Sequence, residues 1–92
     1  MLNFEWDERK ATINLRKHGV SFEEAQSVFY DPRSLTVDHP DYSKAELRFI
    51  DIGTSNQNRV LVVVYTEREN RIRIISVRKA TKSERMQYAK DK

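Results

Sequence analysis

Val60-Leu61-Val62-Val63-Val64-Tyr65 and Arg71-Ile72-Arg73-Ile74-Ile75-Ser76-Val77-Arg78 are the two runs that decide the fold. The first is the most apolar stretch of the chain, and so continuous a β-branched run reads as a strand covered on both faces and therefore central. Glu69-Asn70 makes a tight turn, so the second run returns beside the first as a hairpin. Period-two geometry puts Arg71 and Arg73 on one face of that returning strand and Ile72 and Ile74 on the other. The alternation slips at Ile74-Ile75, which signals a bulge or partial cover on both faces. Parity alone therefore leaves open whether Arg78 joins Arg73.

Upstream of the hairpin, Leu47–Ile52 reads as a strand closed by Gly53-Thr54-Ser55-Asn56. Leu35–Val37 is a shorter one, followed by a polar turn through His39-Pro40-Asp41. Two helices precede them. Asp7 is the N-cap of the first, Lys17-His18 lie in its last turn, and Gly19 ends it in the left-handed conformation. Ala11, Asn14, Leu15 and His18 share a face of it, so Asn14 reads as a buried hydrogen-bonding residue and Trp6 as the wedge between helix and sheet. Ser21-Phe22-Glu23-Glu24 is a capping box, in which the Ser21 hydroxyl and the Glu24 carboxylate each satisfy a backbone donor. Phe22, Ala25, Val28 and Phe29 form the apolar stripe of the second helix, ended by Asp31-Pro32. Thr81-Lys82-Ser83-Glu84 is another capping box and opens a C-terminal helix containing Met86, Tyr88 and Ala89. The expectation is an α+β fold with two N-terminal helices, a four-stranded antiparallel sheet and a C-terminal helix, the helices lying mainly on one face.

Composition narrows the chemistry. Ninety-two residues make one domain, spanning 1–92, and a chain of that size buries about 60–70% of its unfolded surface. Zero Cys removes disulfides, thiolate metal sites and a cysteine nucleophile, and two His would need carboxylate help to hold zinc. No metal or cofactor is expected. There is no glycine-rich phosphate loop, no HExxH and no nucleophile elbow. No apolar run approaches the ~20 residues of a membrane span, and Met1–Trp6 lacks a signal-peptide core.

Charge is unevenly spread. Residues 1–46 hold six Lys/Arg and nine Asp/Glu, whereas residues 47–92 hold eleven and five. A basic C-terminal half suits an anionic ligand, with nucleic acid the commonest; the plain alternative is a solvated basic face that protects a sheet from edge pairing. Arg71, Arg73 and Arg78 lie on one strand, Lys79, Lys82 and Arg85 follow at once, and Arg48 and Arg59 sit on neighbouring strands. Lys82 at a helix start opposes the helix dipole, which hints at an anionic partner. Such a face can bind RNA, with aromatic platforms among the cations. It can also cleave RNA, with Arg and Lys stabilising a five-coordinate phosphorus while another group deprotonates the 2′-OH. For that second group, Glu67, Tyr65, Tyr88, Lys79, His18 and His39 all qualify by chemistry, and the sequence singles out none. His39 reads as an exposed loop residue, His18 as a helix-end residue, and Glu67 as solvated at the hairpin mouth.

The runs Phe4-Glu5-Trp6-Asp7, Asn14 to Ala25 (NLRKHGVSFEEA), Glu46-Leu47-Arg48-Phe49-Ile50 and Arg71 to Thr81 (RIRIISVRKAT) together resemble the BrnT toxins of bacterial type II toxin–antitoxin systems. The resemblance covers nearly the whole chain in order. It implies a RelE-like fold and a metal-independent cytoplasmic ribonuclease that inhibits translation and growth. It also implies a cognate antitoxin that neutralises the toxin, the complex repressing its own operon with DNA contacts supplied by the antitoxin. Carried over by position, it favours Arg48, Tyr65, Arg73 and Arg78 as catalytic and Tyr88 as an RNA contact, to which the basic face adds Arg59, Lys79, Lys82 and Arg85. Two other functions stand against this one: a non-catalytic RNA- or ribosome-binding module of the same fold, and a purely structural interaction domain.

Overall fold

The computed structural model describes residues 2–37, 41–43 and 46–90. Of the polar turn expected through His39-Pro40-Asp41, His39 and Pro40 lie outside them, and Asp41 begins a strand instead. The order is β1 (Phe4–Glu5), α1 (Glu8–His18), α2 (Phe22–Val28), β2 (Leu35–Thr36), β3 (Asp41–Ser43), β4 (Glu46–Thr54), β5 (Val60–Arg68), β6 (Arg71–Lys79) and α3 (Lys82–Lys90). The described strands form one six-stranded sheet in the order β1-β6-β5-β4-β2, with β3 also pairing β4.

This corrects the expected four-stranded antiparallel sheet. Two strands were not expected: β3, antiparallel to β4, and β1, which runs parallel to β6 with Phe4 opposite Ile72 and Glu5 opposite Arg73, so the sheet is mixed. Two residues carry no periodicity, and only their pairing makes them a strand. The expected placement of all helices mainly on one face is also corrected. Helices α1 and α2 cover one face, where Val20, Phe22, Ala25 and Val28 pack on Leu61, Val63, Tyr65, Ile74 and Val77. Helix α3 lies on the other, where Tyr88 and Ala80 meet Ile52 and Val62.

Local chemistry explains the elements. Asp7 Oδ1 accepts the N–H groups of Arg9 at 2.8 Å and Lys10 at 3.3 Å, holding its carboxyl below the ordinary range. Gly19 ends α1 at φ 71°, its N–H donating to the Leu15 carbonyl. The box at α3 is reciprocal, Glu84 N–H donating to Thr81 Oγ1 and Thr81 N–H to Glu84 Oε1. The box at α2 is only half made: Ser21 Oγ accepts from Glu24 N–H, but the Glu24 carboxylate turns to Ser55 and Arg59. Glu69 and Asn70 have φ 51° and 66°, the mirror-image turn whose twist matches a β-hairpin. Gly53, expected in a turn, lies inside β4. A Cβ there would stand 2.9 Å from Val28 Cγ1, so α2 packs on the bare backbone of that strand.

Asn14 closes the free side of β6. Past Arg73, no described strand pairs that side. The side chain of Asn14 accepts the Val77 N–H at 3.1 Å and donates to the Val77 and Val20 carbonyls at 2.9 and 3.0 Å. The sequence expectation of a buried, hydrogen-bonded Asn14 is met, and one amide occupies groups that would otherwise template another strand. Trp6 packs against the core with its ring edge-on to Phe22 of α2 at 5.9 Å.

Candidate nucleic-acid interface

The returning strand carries a bulge. Val64 pairs with Ser76, but Tyr65 pairs with Ile74, so Ile75 is an extra residue without a partner on β5. The parity of β6 flips there, and Arg78, opposite Val62, comes to the same face as Arg73, opposite Thr66. This is the α3-bearing face. Arg48, also opposite Thr66 on β4, shares it. Glu5, opposite Arg73 on β1, and Asp41, opposite Arg48 on β3, extend a transverse row: Glu5, Arg73, Thr66, Arg48, Asp41. With strands ~4.8 Å apart, the two arginines flank Thr66 at about 10 Å between their Cα atoms.

Helix α3 leaves this row uncovered. Its buried contacts, Tyr88 and Ala80, reach Ile52 and Val62, four residues along β5 from Thr66 and hence about 13 Å away. Arg73 keeps 31% of its side chain exposed, and its Nη1 lies 3.3 Å from Glu5 Oε2. Arg71, at 61%, reaches Glu5 Oε1 at 3.4 Å. The Nε of Arg48 is buried and has no hydrogen-bond acceptor among the described residues. Such a donor costs about 1–3 kcal/mol when nothing accepts from it. Thr66 lies buried between, its hydroxyl donating to the Leu47 carbonyl at 2.8 Å.

The other residues singled out by sequence go elsewhere. Arg78 is held by Glu84 through two bonds of 2.8 Å, which pin β6 to α3 and drive the Glu84 carboxyl down to about 2. Arg59 binds the Glu24 carboxylate beneath α2, with Ser55 Oγ donating to the same group at 2.6 Å. The Arg59 guanidinium holds Glu24 below its ordinary range. Tyr65 is buried on the opposite face, against Phe29 and Phe49, its hydroxyl donating to Asp51 at 3.1 Å. Burial pushes the ionisation of Tyr65 far up, and that of Asp51 up as well. Tyr88 is 4% exposed and donates to Asp31 at 2.6 Å while accepting from Thr54. Lys79 pairs with Leu61 across β5, at the far end of the sheet from Arg73. Lys82 lies with Met86 and Lys90 in a groove on α3, and Arg85 donates to the Ala80 carbonyl.

Glu5 was missed by sequence reasoning. Its only signal was its place in a β-branched-poor start, Phe4-Glu5-Trp6, and neither residue spacing nor charge count distinguishes it from the other acids of the first half. Among the described residues no three His, Asp or Glu side chains gather into a group able to hold a metal ion. No helix among them is long and apolar enough to cross a membrane.

A mixed sheet covered by two helices on one side and carrying arginines on the other defines a small α+β protein. Comparison with known proteins makes the class specific. Residues 6–84 match the family described as "Ribonuclease toxin, BrnT, of type II toxin-antitoxin system", and the chain belongs to that family. It is also similar to the crystal structure of the Brucella abortus ribonuclease toxin BrnT, with a TM-score of 0.59 and 25% identity over 89% of this chain and 100% of that one. No curated protein matches the sequence significantly. Family membership makes this a ribonuclease toxin of a type II toxin–antitoxin system, with RNA as substrate class and a cognate antitoxin as partner.

Proposed function

We propose that the chain is a metal-independent endoribonuclease, related to the RelE-type toxins, that cuts RNA on the open sheet face and thereby stops translation and growth in the cytoplasm. The observation that carries this reading is the Arg73–Thr66–Arg48 row, left clear by α3 and containing a buried guanidinium donor without an acceptor among the described residues. Arginine stays charged and grips phosphate oxygens in pairs. Two such groups about 10 Å apart can hold one phosphate between them and stabilise the extra charge of a five-coordinate phosphorus. Arg73 and Arg48 are the catalytic cations of this proposal, and Arg71 a substrate contact. Arg78 shares their face but is committed to Glu84, and Tyr65, Tyr88 and Arg59 serve the fold.

The cognate antitoxin neutralises the toxin by covering this face with an acidic or apolar segment. In the complex it supplies the DNA contacts that repress the operon. The binding-module alternative needs aromatic platforms among the cations. Among the described residues Phe49 and Tyr65 point to the helix-covered face and Tyr88 is buried beneath α3, which favours cleavage.

Cleavage of RNA by the purified chain in EDTA, naked and on translating ribosomes, tests the reading. Wild type should produce new RNA ends, and Arg73→Ala and Arg48→Ala variants of equal thermal stability should not. Intact RNA with salt-weakened binding would establish the binding module instead.

A further inference from the structure

We infer that Glu5 is the general base of the cleavage reaction, an assignment that rests on the ribonuclease reading above. The row across the sheet runs through Glu5, Arg73, Thr66 and Arg48 to Asp41 on β3, and the chemistry of these residues is unequal. Arginine cannot give up its proton in a protein, so neither Arg73 nor Arg48 can accept one from substrate. Thr66 is buried and spends its hydroxyl on the Leu47 carbonyl. Glu5 is the acceptor beside Arg73. It keeps 23% of its side chain exposed, on the open face, with one oxygen 3.3 Å from Arg73 and the other 3.4 Å from Arg71.

Several other groups among the described residues that could move a proton are badly placed. Tyr65 and Asp51 are buried on the opposite face, bonded to each other, and burial drives both ionisations upward. Tyr88 is locked between Asp31 and Thr54 under α3. His18 ends α1, on the side of the sheet that α1 and α2 cover. Asp7 spends its carboxylate on the first N–H groups of α1.

The order along the row also suits an in-line displacement. With the ribose 2′-OH at Glu5, the phosphate meets Arg73, and the leaving oxygen points toward Arg48. Glu5 takes the 2′-OH proton as the O2′–P bond forms, the P–O5′ bond breaks with its electron pair on O5′, and that oxygen takes a proton from solvent water. The products are a 2′,3′-cyclic phosphate and a 5′-hydroxyl. Arg73 and Arg71 fix the carboxylate in place, one on each oxygen, so that it faces the same phosphate that Arg73 binds.

A Glu5→Gln variant of the full chain tests this, because the amide keeps an oxygen for the arginines and loses the ability to take a proton. Wild type should release cyclic-phosphate ends, with kcat falling at acid pH as one carboxylate protonates. Glu5→Gln should keep RNA binding and the thermal midpoint, lose about 10²–10⁴-fold in kcat, and lose the acid limb of the pH profile. Glu5→Asp should recover part of the rate together with that limb. Glu23→Gln, on α2 and away from the row, should change nothing. Wild-type cleavage with Glu5→Gln within threefold of it, acid limb intact, would overturn the assignment while leaving the ribonuclease standing. A Glu5→Gln loss confined to KM would also overturn it, reducing Glu5 to a positioning residue for Arg73. A wild-type chain that leaves RNA uncut would overturn the assignment and the reading beneath it together.

Discussion

Arg73 and Arg78 stand on the same face of the sheet although five positions separate them, because Ile75 is an extra residue opposite the Val64/Tyr65 step. They are about 13 Å apart along the strand, and their partners differ. Arg73 faces Glu5 across 3.3 Å on the uncovered part of the face, and Arg78 is bound through both its terminal nitrogens to Glu84 of α3. One bulge therefore gives a strand two arginines with separate duties, one toward ligand and one toward the last helix.

The first prediction separates those duties. Arg73→Ala should leave the thermal midpoint near that of wild type and abolish RNA cleavage. Arg78→Ala should do the reverse, lowering stability by about 1–2 kcal/mol, since a partly exposed but bidentate pair is lost and Glu84 is left alone. Thermal unfolding and a cleavage assay on both variants decide it. Equal loss of cleavage without loss of stability in Arg78→Ala would return Arg78 to the site.

The second concerns the approach of α2 to the sheet. Gly53 lies 2.9 Å, as a Cβ would, from Val28 Cγ1, with Ser34 Cβ and Asp31 Oδ2 at 3.1 and 3.2 Å. Gly53→Ala must push α2 and the following loop outward, at about 1–3 kcal/mol. Asp31 holds Thr54 N–H and the Tyr88 hydroxyl, so the shift should loosen α3 as well. Urea unfolding, with amide exchange in α3, reads both effects; an unchanged midpoint would mean that the helix yields freely.

Much of this was written in the sequence, and the parts that were not share a cause. The caps at Asp7, Ser21 and Thr81, the hairpin turn and the central strand are local patterns, decided by residues within a turn of one another. The side of α3, the parallel strand at Phe4–Glu5 and the companions of Arg59 depend on residues tens of positions away. Alternation could locate the slip at Ile74-Ile75 but could not say which residue is extra. Tyr65 and Tyr88 both qualified as proton-moving groups because the sequence does not show what surrounds a phenol. Only the fold reveals that one hydroxyl meets Asp51 and the other Asp31.

The third prediction tests the closure of β6. Asn14→Ala strips a hydrogen-bond partner from the Val77 N–H and from the carbonyls of Val77 and Val20. Buried backbone groups left unpaired should cost about 2–4 kcal/mol in total. The uncovered strand edge should also raise the tendency to self-associate. Urea unfolding and size-exclusion chromatography across a concentration series measure the two. A stability loss below about 0.5 kcal/mol would mean that water replaces the amide.

Acid should unfold the chain by a route that names its residues. Glu84 carries its proton at about 2 in the fold against an ordinary value of 4.5, chiefly because Arg78 bonds its charged form. Glu24 is lowered for the same reason by Arg59. An unfolded chain therefore binds protons that the native one refuses, so stability rises with pH across this window and is lost as pH falls from about 4.5 toward 2. Asp51 pulls the other way, since burial raises its value and its protonation favours the fold. Its penalty appears above the ordinary Asp range and does not cancel the loss below it. Glu84→Gln should then be less stable than wild type at pH 7 by on the order of 1 kcal/mol after solvent screening of the half-exposed Arg78. The two should converge as pH approaches 2. Urea midpoints taken from pH 7 down to 2 give the comparison, and a difference that stays constant with pH would show that the Arg78–Glu84 contact matters for its shape and not for its charge.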